Sequence, residues 1–322
     1  MLVAAVCAFS SVSVIHNARG AEPKSHRSSP KAARSHSKKT LGNPFSGLTS
    51  STQRKQVIES LPLNRLTPQA RKRIRSIADS PTIYRRLPTQ AISCDRDMFL
   101  FLTRNPETLV GIWDLMGITK VKSRRTGPYR IEAVDGAGTT CTIDLIYGDA
   151  HTHIFIADGS YDGSMTTKPI RGSGVIVLRS NYARSANGHT TVTGSIDCFV
   201  RFDNLGADLV ARTLSGIIGR SADNNFIETA RFIAQVNQAA EKNVAAMVDV
   251  AERLPQVDLT RRRQFAQLIE TVSQRHHAIV AAQQNQNLRS PPFATPTVRS
   301  SNSMHDSNAR TATTRNPMRR TQ

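Results

Sequence analysis

The residues with the most capacity for chemistry are two histidines set two apart, His151 and His153. On a strand that spacing puts both imidazoles on one face, as zinc sites require, and Asp149, Asp158 or Cys141 could complete a shell. Gly148-Asp149 directly precedes the pair, which places it near a hairpin mouth in solvent, so no metal site is assigned. His276-His277 falls near the end of a polar helix and is not assigned as a ligand pair either. Asp135, Asp158 and Asp162 each precede Gly, a pairing suited to turns. Hydrolysis by paired carboxylates would need two of them to converge. Gly136-Ala137-Gly138-Thr139-Thr140 leads into a strand, not into a helix whose N-terminus could hold phosphate. No Gly-x-Ser-x-Gly occurs, and no Ser, Cys or Lys stands beside an evident base. Nucleotide binding and covalent catalysis are excluded on these grounds, and no cofactor is expected.

The elements that must position such residues follow from periodicity. Thr67 can cap a basic helix opened by Pro68 and marked by Ile74 and Ile77. Asp95 caps a helix through Phe99, Phe101 and Leu102. Pro106 opens another through Leu109, Ile112, Trp113 and Leu115, ended by Gly117. Five strands are expected next: Tyr129 to Val134, Thr140 to Tyr147, Thr152 to Asp158, Gly174 to Tyr182 and Thr190 to Phe202. The turn signals between them (Asp135-Gly136, Gly148-Asp149, Asp158-Gly159, Asp162-Gly163, Asn187-Gly188) favour antiparallel neighbours. Along Thr190 to Phe202, Val192, Ile196, Cys198, Val200 and Phe202 share one face and Phe199 interrupts the other, so one packed face is expected. A short helix from Leu205 ends at Gly216 and Gly219. Ser221 caps a longer one through Phe226, Ile233 and Met247 that stops before Pro255. Asp258 or Thr260 opens a last helix. The fold class is α+β: a curved antiparallel sheet covered by a long C-terminal helix, with disordered basic flanks.

Charge sets the domain limits. The chain of 322 residues carries a net charge of +19. Residues 21–88 hold 15 Lys and Arg against 3 acids, residues 89–240 hold 15 against 15, and residues 241–322 hold 12 against 6. The excess therefore lies in flanks, whereas a fold that reads phosphates places its cations on the domain that sets geometry. Weak polyanion or anionic-membrane contact through basic tails is expected, and no dedicated nucleic-acid site. Hydrophobic residues are 39%, below the usual ~45–50%, so part of the chain is unpacked. The expected parts are a disordered basic segment (21–60), a basic helix and linker (61–88), an α+β domain (89–254), a further helix (255–288) and a disordered basic tail (289–322).

Residues 1–15 form an apolar stretch of signal-peptide length, and Ala18-Arg19-Gly20 fits cleavage before Ala21. The basic n-region is missing. A periplasmic or secreted location is expected, with residues 1–20 as the signal. Cleavage would leave Cys94, Cys141 and Cys198, an odd count that allows at most one disulfide. Cys141 and Cys198 both sit in strand-like runs, and all three also read as small buried hydrophobes.

The stretch from Ile196 to Val236 holds a strand carrying Val and Asp, a turn with Gly, a short helix and then a long helix. In this it resembles the helix-grip superfamily of START domains, polyketide cyclases and Bet v 1-like proteins. The resemblance spans roughly residues 90–240. It implies a cavity for a lipid or other hydrophobic small molecule between sheet and long helix, with Trp113, Tyr147, Phe155, Tyr161, Arg179, Tyr182 and Phe226 near it. The function expected is non-catalytic binding. One alternative is an interaction or scaffold protein attached by its basic tails. Another is a cyclase- or hydrolase-type enzyme using Asp144, Asp158, His153 and Arg179.

Overall fold

A computed structural model describes residues 50–164, 168–203 and 208–289. Two compact units divide the chain, one running to Gln283 and the other from Gln284 onward. The first carries an eight-stranded antiparallel sheet with helices on both faces.

Chain order begins with α1 (Ser51–Glu59), a single 3-10 turn (Leu63–Arg65) and α2 (Pro68–Ala78). Ser50 and Thr67 cap the two helices, and Pro68 occupies the first helical position of α2, where its missing N–H costs nothing. Short strands β1 (Ile83–Arg86) and β2 (Gln90–Ser93) follow. Both pair with the same edge of β8, one beside Asp197–Val200 and the other beside Thr191–Gly194. Pro88 lies between them and, having no N–H, interrupts what would otherwise be one strand. Asp95 caps α3 (Arg96–Arg104) by accepting from the amides of Asp97 and Met98. Pro106 opens α4 (Pro106–Leu115), which Gly117 terminates with φ 68°.

The remaining strands are β3 (Lys122–Gly127), β4 (Arg130–Val134), β5 (Thr139–Gly148), β6 (Thr152–Tyr161), β7 (Ile170–Arg184) and β8 (Thr190–Phe202). They form a meander, giving the order β1-β8-β7-β6-β5-β4-β3, with β2 also on β8. The five expected strands are all present. Three more, β1, β2 and β3, are additional. Asp158-Gly159 is not a turn: it lies inside β6, where Gly159 opposes Cys141 and a Cβ would come within 3.0 Å of the Thr140 carbonyl. Polar β3 is fixed at its edge by Arg125, which donates to the buried Glu107 of α4 at 2.6 and 3.0 Å.

One packed face was expected, and the centre of the sheet has two. Residues 153–157 of β6 and 175–178 of β7 are buried without alternation. Such runs mark strands covered on both sides. On one face Phe155, Ile176, Leu178, Val192 and Ile196 pack against α3, α4 and the C-terminal helices. On the other, Ile154, Ile156, Val175, Val177 and Phe199 meet Val57, Leu61, Leu66, Ile74 and Ile77 of the α1–α2 segment. Helix α1 thus begins within the stretch expected to be disordered. Its one buried side chain, Val57, is hidden in the sequence among basic and polar neighbours.

The C-terminal helices are α5 (Asp208–Lys242), α6 (Val244–Arg253) and α7 (Leu259–Arg289). The break expected at Gly216 and Gly219 does not occur, and α5 is continuous across both. At Gly219 the absent side chain makes room for Arg85: a Cβ would lie 3.1 Å from its guanidinium, which pairs with Asp223 one turn further on. The break falls instead at Asn243, whose side chain caps α6. Asp258 accepts from the Arg261 amide at the start of α7. Phe226, Ala230, Ile233, Val236 and Ala240 line the buried side of α5, at the three- and four-residue spacing of one helical stripe. No disulfide joins Cys141 and Cys198. Strands β6 and β7 separate them, a gap of about 14 Å at ~4.8 Å per strand, too wide for a disulfide.

Among the described residues no helix is long and apolar enough to cross a membrane.

Candidate functional site: a basic helical layer clamped to the sheet

Helices α1 and α2 are strongly basic, yet they bury an apolar side. What orients them is a set of carboxylates on the sheet face beneath. Asp197, in the middle of β8, is fully buried. Its Oδ1 accepts from the Tyr84 hydroxyl at 2.8 Å and from Arg86 Nε at 2.9 Å. Its Oδ2 accepts from Arg86 Nη2 at 2.8 Å and Arg179 Nη1 at 2.9 Å. Four donors satisfy the carboxylate, as a buried charge requires. Arg179 spends its other nitrogen on Ser60 Oγ, just past α1, at 2.6 Å. Burial, reinforced by the bond to Asp197, pushes the Tyr84 phenol above its ordinary pKa, so it remains a donor. The same carboxylate holds Arg86 in its charged form.

A second clamp holds α2. Arg73 donates to Asp144 at 3.1 Å and to Asp158 at 2.7 Å. Arg130 donates to Asp144 at 2.8 and 3.2 Å, and Ser173 donates to Asp158. The hydrogen bond from Arg130, with that from Arg73, draws the Asp144 carboxyl below its usual range despite partial burial. A third contact runs from Arg65 to the Tyr147 hydroxyl at 3.0 Å, and Tyr147 in turn donates to Asp149 at 2.8 Å. Burial raises the Asp149 carboxyl. That effect is outweighed by bonds from Tyr147 and from the amides of His151 and Thr152, so the net shift is downward.

Six cations of this layer fall into two sets, with the partly buried Arg54 in neither. Arg65 and Arg73 reach the sheet and are partnered there. Lys55, Arg71, Lys72 and Arg75 are exposed and form no ion pair among the described residues. Beyond α2, the same sheet face carries an open recess of about 400 Å³, lined by polar groups that include Glu132, Thr140, Thr142, Asp158, Ser160 and Arg171.

The seven residues named from the family resemblance do not meet at one site. Tyr147 and Arg179 belong to the clamp just described. Phe155 and Phe226 are core side chains, 2% and 1% exposed. Trp113 packs on Phe232 with ring centroids 5.7 Å apart. Tyr182 sets its edge on Phe99 and donates to the Ala150 carbonyl at 2.8 Å. Tyr161 stands at the end of β6, opposite Thr139 and Ile170. A side chain lining a ligand-sized void would expose surface to it. In the same hydrophobic cluster as Phe226, Met98, Phe99, Val192, Ile196 and Ile233 show at most 1%. Phe226 is therefore a packed core residue with no surface open to a void.

The acid–base set is also divided. Asp144, Asp158 and Arg179 are tied into the clamps, and His153 lies on the opposite face of the sheet. His153 is fully buried, and its Nε2 accepts from Arg104 Nε at 3.1 Å. Burial, with the Arg104 charge, lowers its pKa from 6.5 to about 4. His151 bonds the Ser180 carbonyl. The Nδ1 of His153 is buried without a hydrogen-bond partner, but among the described residues no ligand grouping brings His151 or His153 together with Asp149, Asp158 or Cys141. The histidines that do approach a carboxylate are His189 and His276, at Glu241. The sequence carries no signal of this grouping, because nothing local links residues 189, 241 and 276.

No known protein family matches the sequence, and no curated protein is similar to it. Solved structures align with part of the chain. A conserved protein from Geobacillus kaustophilus aligns with 12% identity over 46% of this chain and 93% of its own, at a TM-score of 0.33. An uncharacterised protein from Rhizobium leguminosarum aligns with 10% identity over 44% of this chain and 93% of its own, at a TM-score of 0.26.

Proposed function

We propose that the protein is a binding module for anionic polymers and that α1 and α2 form its contact surface. The observation that carries this reading is the exposed set Lys55, Arg71, Lys72 and Arg75, without an ion pair among the described residues, on helices whose other sides are bonded to the sheet. Positioned cations release counterions from a polyanion without the ordering cost that a floppy tail would pay. The sequence before α1 adds to the charge: residues 21–49 hold six Lys and Arg against one acid. The apolar stretch at residues 1–15 supports export, which would set the module against polymers of the cell envelope. On this reading the scaffold is a helix-grip arrangement with a helical layer added over the outer face of its sheet. An apolar guest has less support, since Phe155 and Phe226 are packed core and Tyr147 and Arg179 are engaged in the clamps on the other face of the sheet.

The test is retention on an immobilised anionic polymer. In the full chain, replacing Lys55, Arg71, Lys72 and Arg75 together by Gln should lower the salt concentration of elution substantially. Elution at an unchanged concentration would refute α1–α2 as the contact surface.

A further inference from the structure

On the other side of the molecule, three segments distant in sequence bring ligand-type atoms together. His189 follows Gly188 (φ 83°) in the β7–β8 hairpin, and its carbonyl accepts from both the amide and the hydroxyl of Ser185 at 2.9 Å. Glu241 sits in the last turn of α5, and His276 on α7. Their ligating atoms lie within 4.8 Å of one another. We propose that His189, Glu241 and His276 form a binding site for one divalent transition-metal ion of the zinc type.

Several features point to an ion. The Nδ1 of His276 is shut off from solvent and has no hydrogen-bond partner. It faces Glu241 Oε2 at 3.7 Å, too far for a hydrogen bond. A buried imidazole nitrogen left in this way costs free energy unless something fills the gap. The other carboxylate oxygen, Oε1, accepts from Asn237 Nδ2 at 2.8 Å, and the buried Asn237 is itself fixed by the Asp95 amide at 2.9 Å. Supporting bonds of this kind orient metal ligands. An adjoining recess of about 30 Å³, lined by all three residues, has room for at least one water-sized group.

The chemistry selects the ion. Two imidazoles and a carboxylate suit zinc and its neighbours, whereas calcium and magnesium take oxygen shells. At zinc bond lengths of ~2.0–2.2 Å, tetrahedral ligands stand about 3.4 Å apart. Side-chain shifts of about 1 Å would close the present separations to that value. Water would take the fourth position. The nearby Arg275 does not oppose the ion strongly, because Asp95 and Asp97 neutralise it at 3.0 and 2.8 Å. Bound metal would tie the hairpin, α5 and α7 together. This inference is independent of the polyanion reading, since the site shares no residue with α1 or α2.

The experiment uses the untagged full chain, stripped with a chelator and titrated with Zn(II) against a chromophoric competitor. The expected result is one ion per chain with Kd below ~1 µM. Replacement of His189, Glu241 (by Gln) or His276 should each weaken binding at least tenfold, while His277→Ala leaves it unchanged. Co(II) in place of zinc should give the intense visible absorption of a tetrahedral site, abolished in His189→Ala. His189 is a hairpin residue, so this variant remains informative if His276→Ala fails to fold. Absence of one-to-one binding, or equal affinity in wild type and His189→Ala, would overturn the proposal and leave a bridging water as the occupant.

Discussion

Asp197 shows how one buried charge organises its surroundings. Removing its charge leaves Arg86 and Arg179 facing a neutral amide in a partly buried position. Asp197→Asn should cost about 3 kcal/mol in denaturant unfolding, with the partial exposure of both arginines holding the cost near the low end for a broken buried pair. His153 makes a second prediction. Its folded pKa of about 4 lies below the unfolded value of 6.5, so the unfolded chain binds more protons between these limits. Stability from this residue is complete above pH 6.5 and is lost as pH falls toward 4, by about 3 kcal/mol in all. His153→Gln should flatten the stability profile in that window. Asp144 and Asp149, whose values lie below 3.8, act only at still lower pH. None of these partnerships is visible in the sequence. Arg73 and Asp144 are 71 residues apart, and Tyr84 and Asp197 are 113 apart. The capping roles of Thr67, Asp95 and Asp258 are legible there, because a cap and the amides it serves lie within about four residues.

At the scale of elements, local signals succeed where a segment is long and apolar, and fail where tertiary contact supplies the reason for order. The limits of β8 are legible from its alternation. Strands β1 and β2 have four residues each, too few to show a period, and β3 is so polar that its Arg125–Glu107 and Lys122–Asp114 pairs and its neighbour β4 explain its place. Two glycines suggest a helix end within α5, but packing overrides propensity. Helix α2 offers a direct test of the added layer. Ile74→Ala removes a side chain 1% exposed and should cost about 3 kcal/mol. Hydrogen exchange should quicken in α1 and α2 of that variant and stay slow in α5. An equal fall in protection across α5 would mean that the layer is not a separable unit.

Over the whole molecule, the excess charge is not confined to tails. The sequence distribution, +12 over residues 21–88 against zero over residues 89–240, suggests basic flanks around a neutral domain. Part of that basic stretch is in fact the outer layer of the domain, placed there by Val57, Ile74 and Ile77 on one side and by Arg65 and Arg73 on the other. Counting charges along the chain does not distinguish these cases, since a docked helix and a free tail have the same composition. The measurement that bears most directly on the account is the dependence of polyanion affinity on salt. For the full chain on duplex DNA as a probe, log K should fall linearly with log salt concentration. Neutralising Lys55, Arg71, Lys72 and Arg75 should make that slope shallower by up to about 3.6, since each phosphate left without its cation removes ~0.9 from it. An identical slope in the neutralised variant would contradict the account and assign any binding to cations elsewhere.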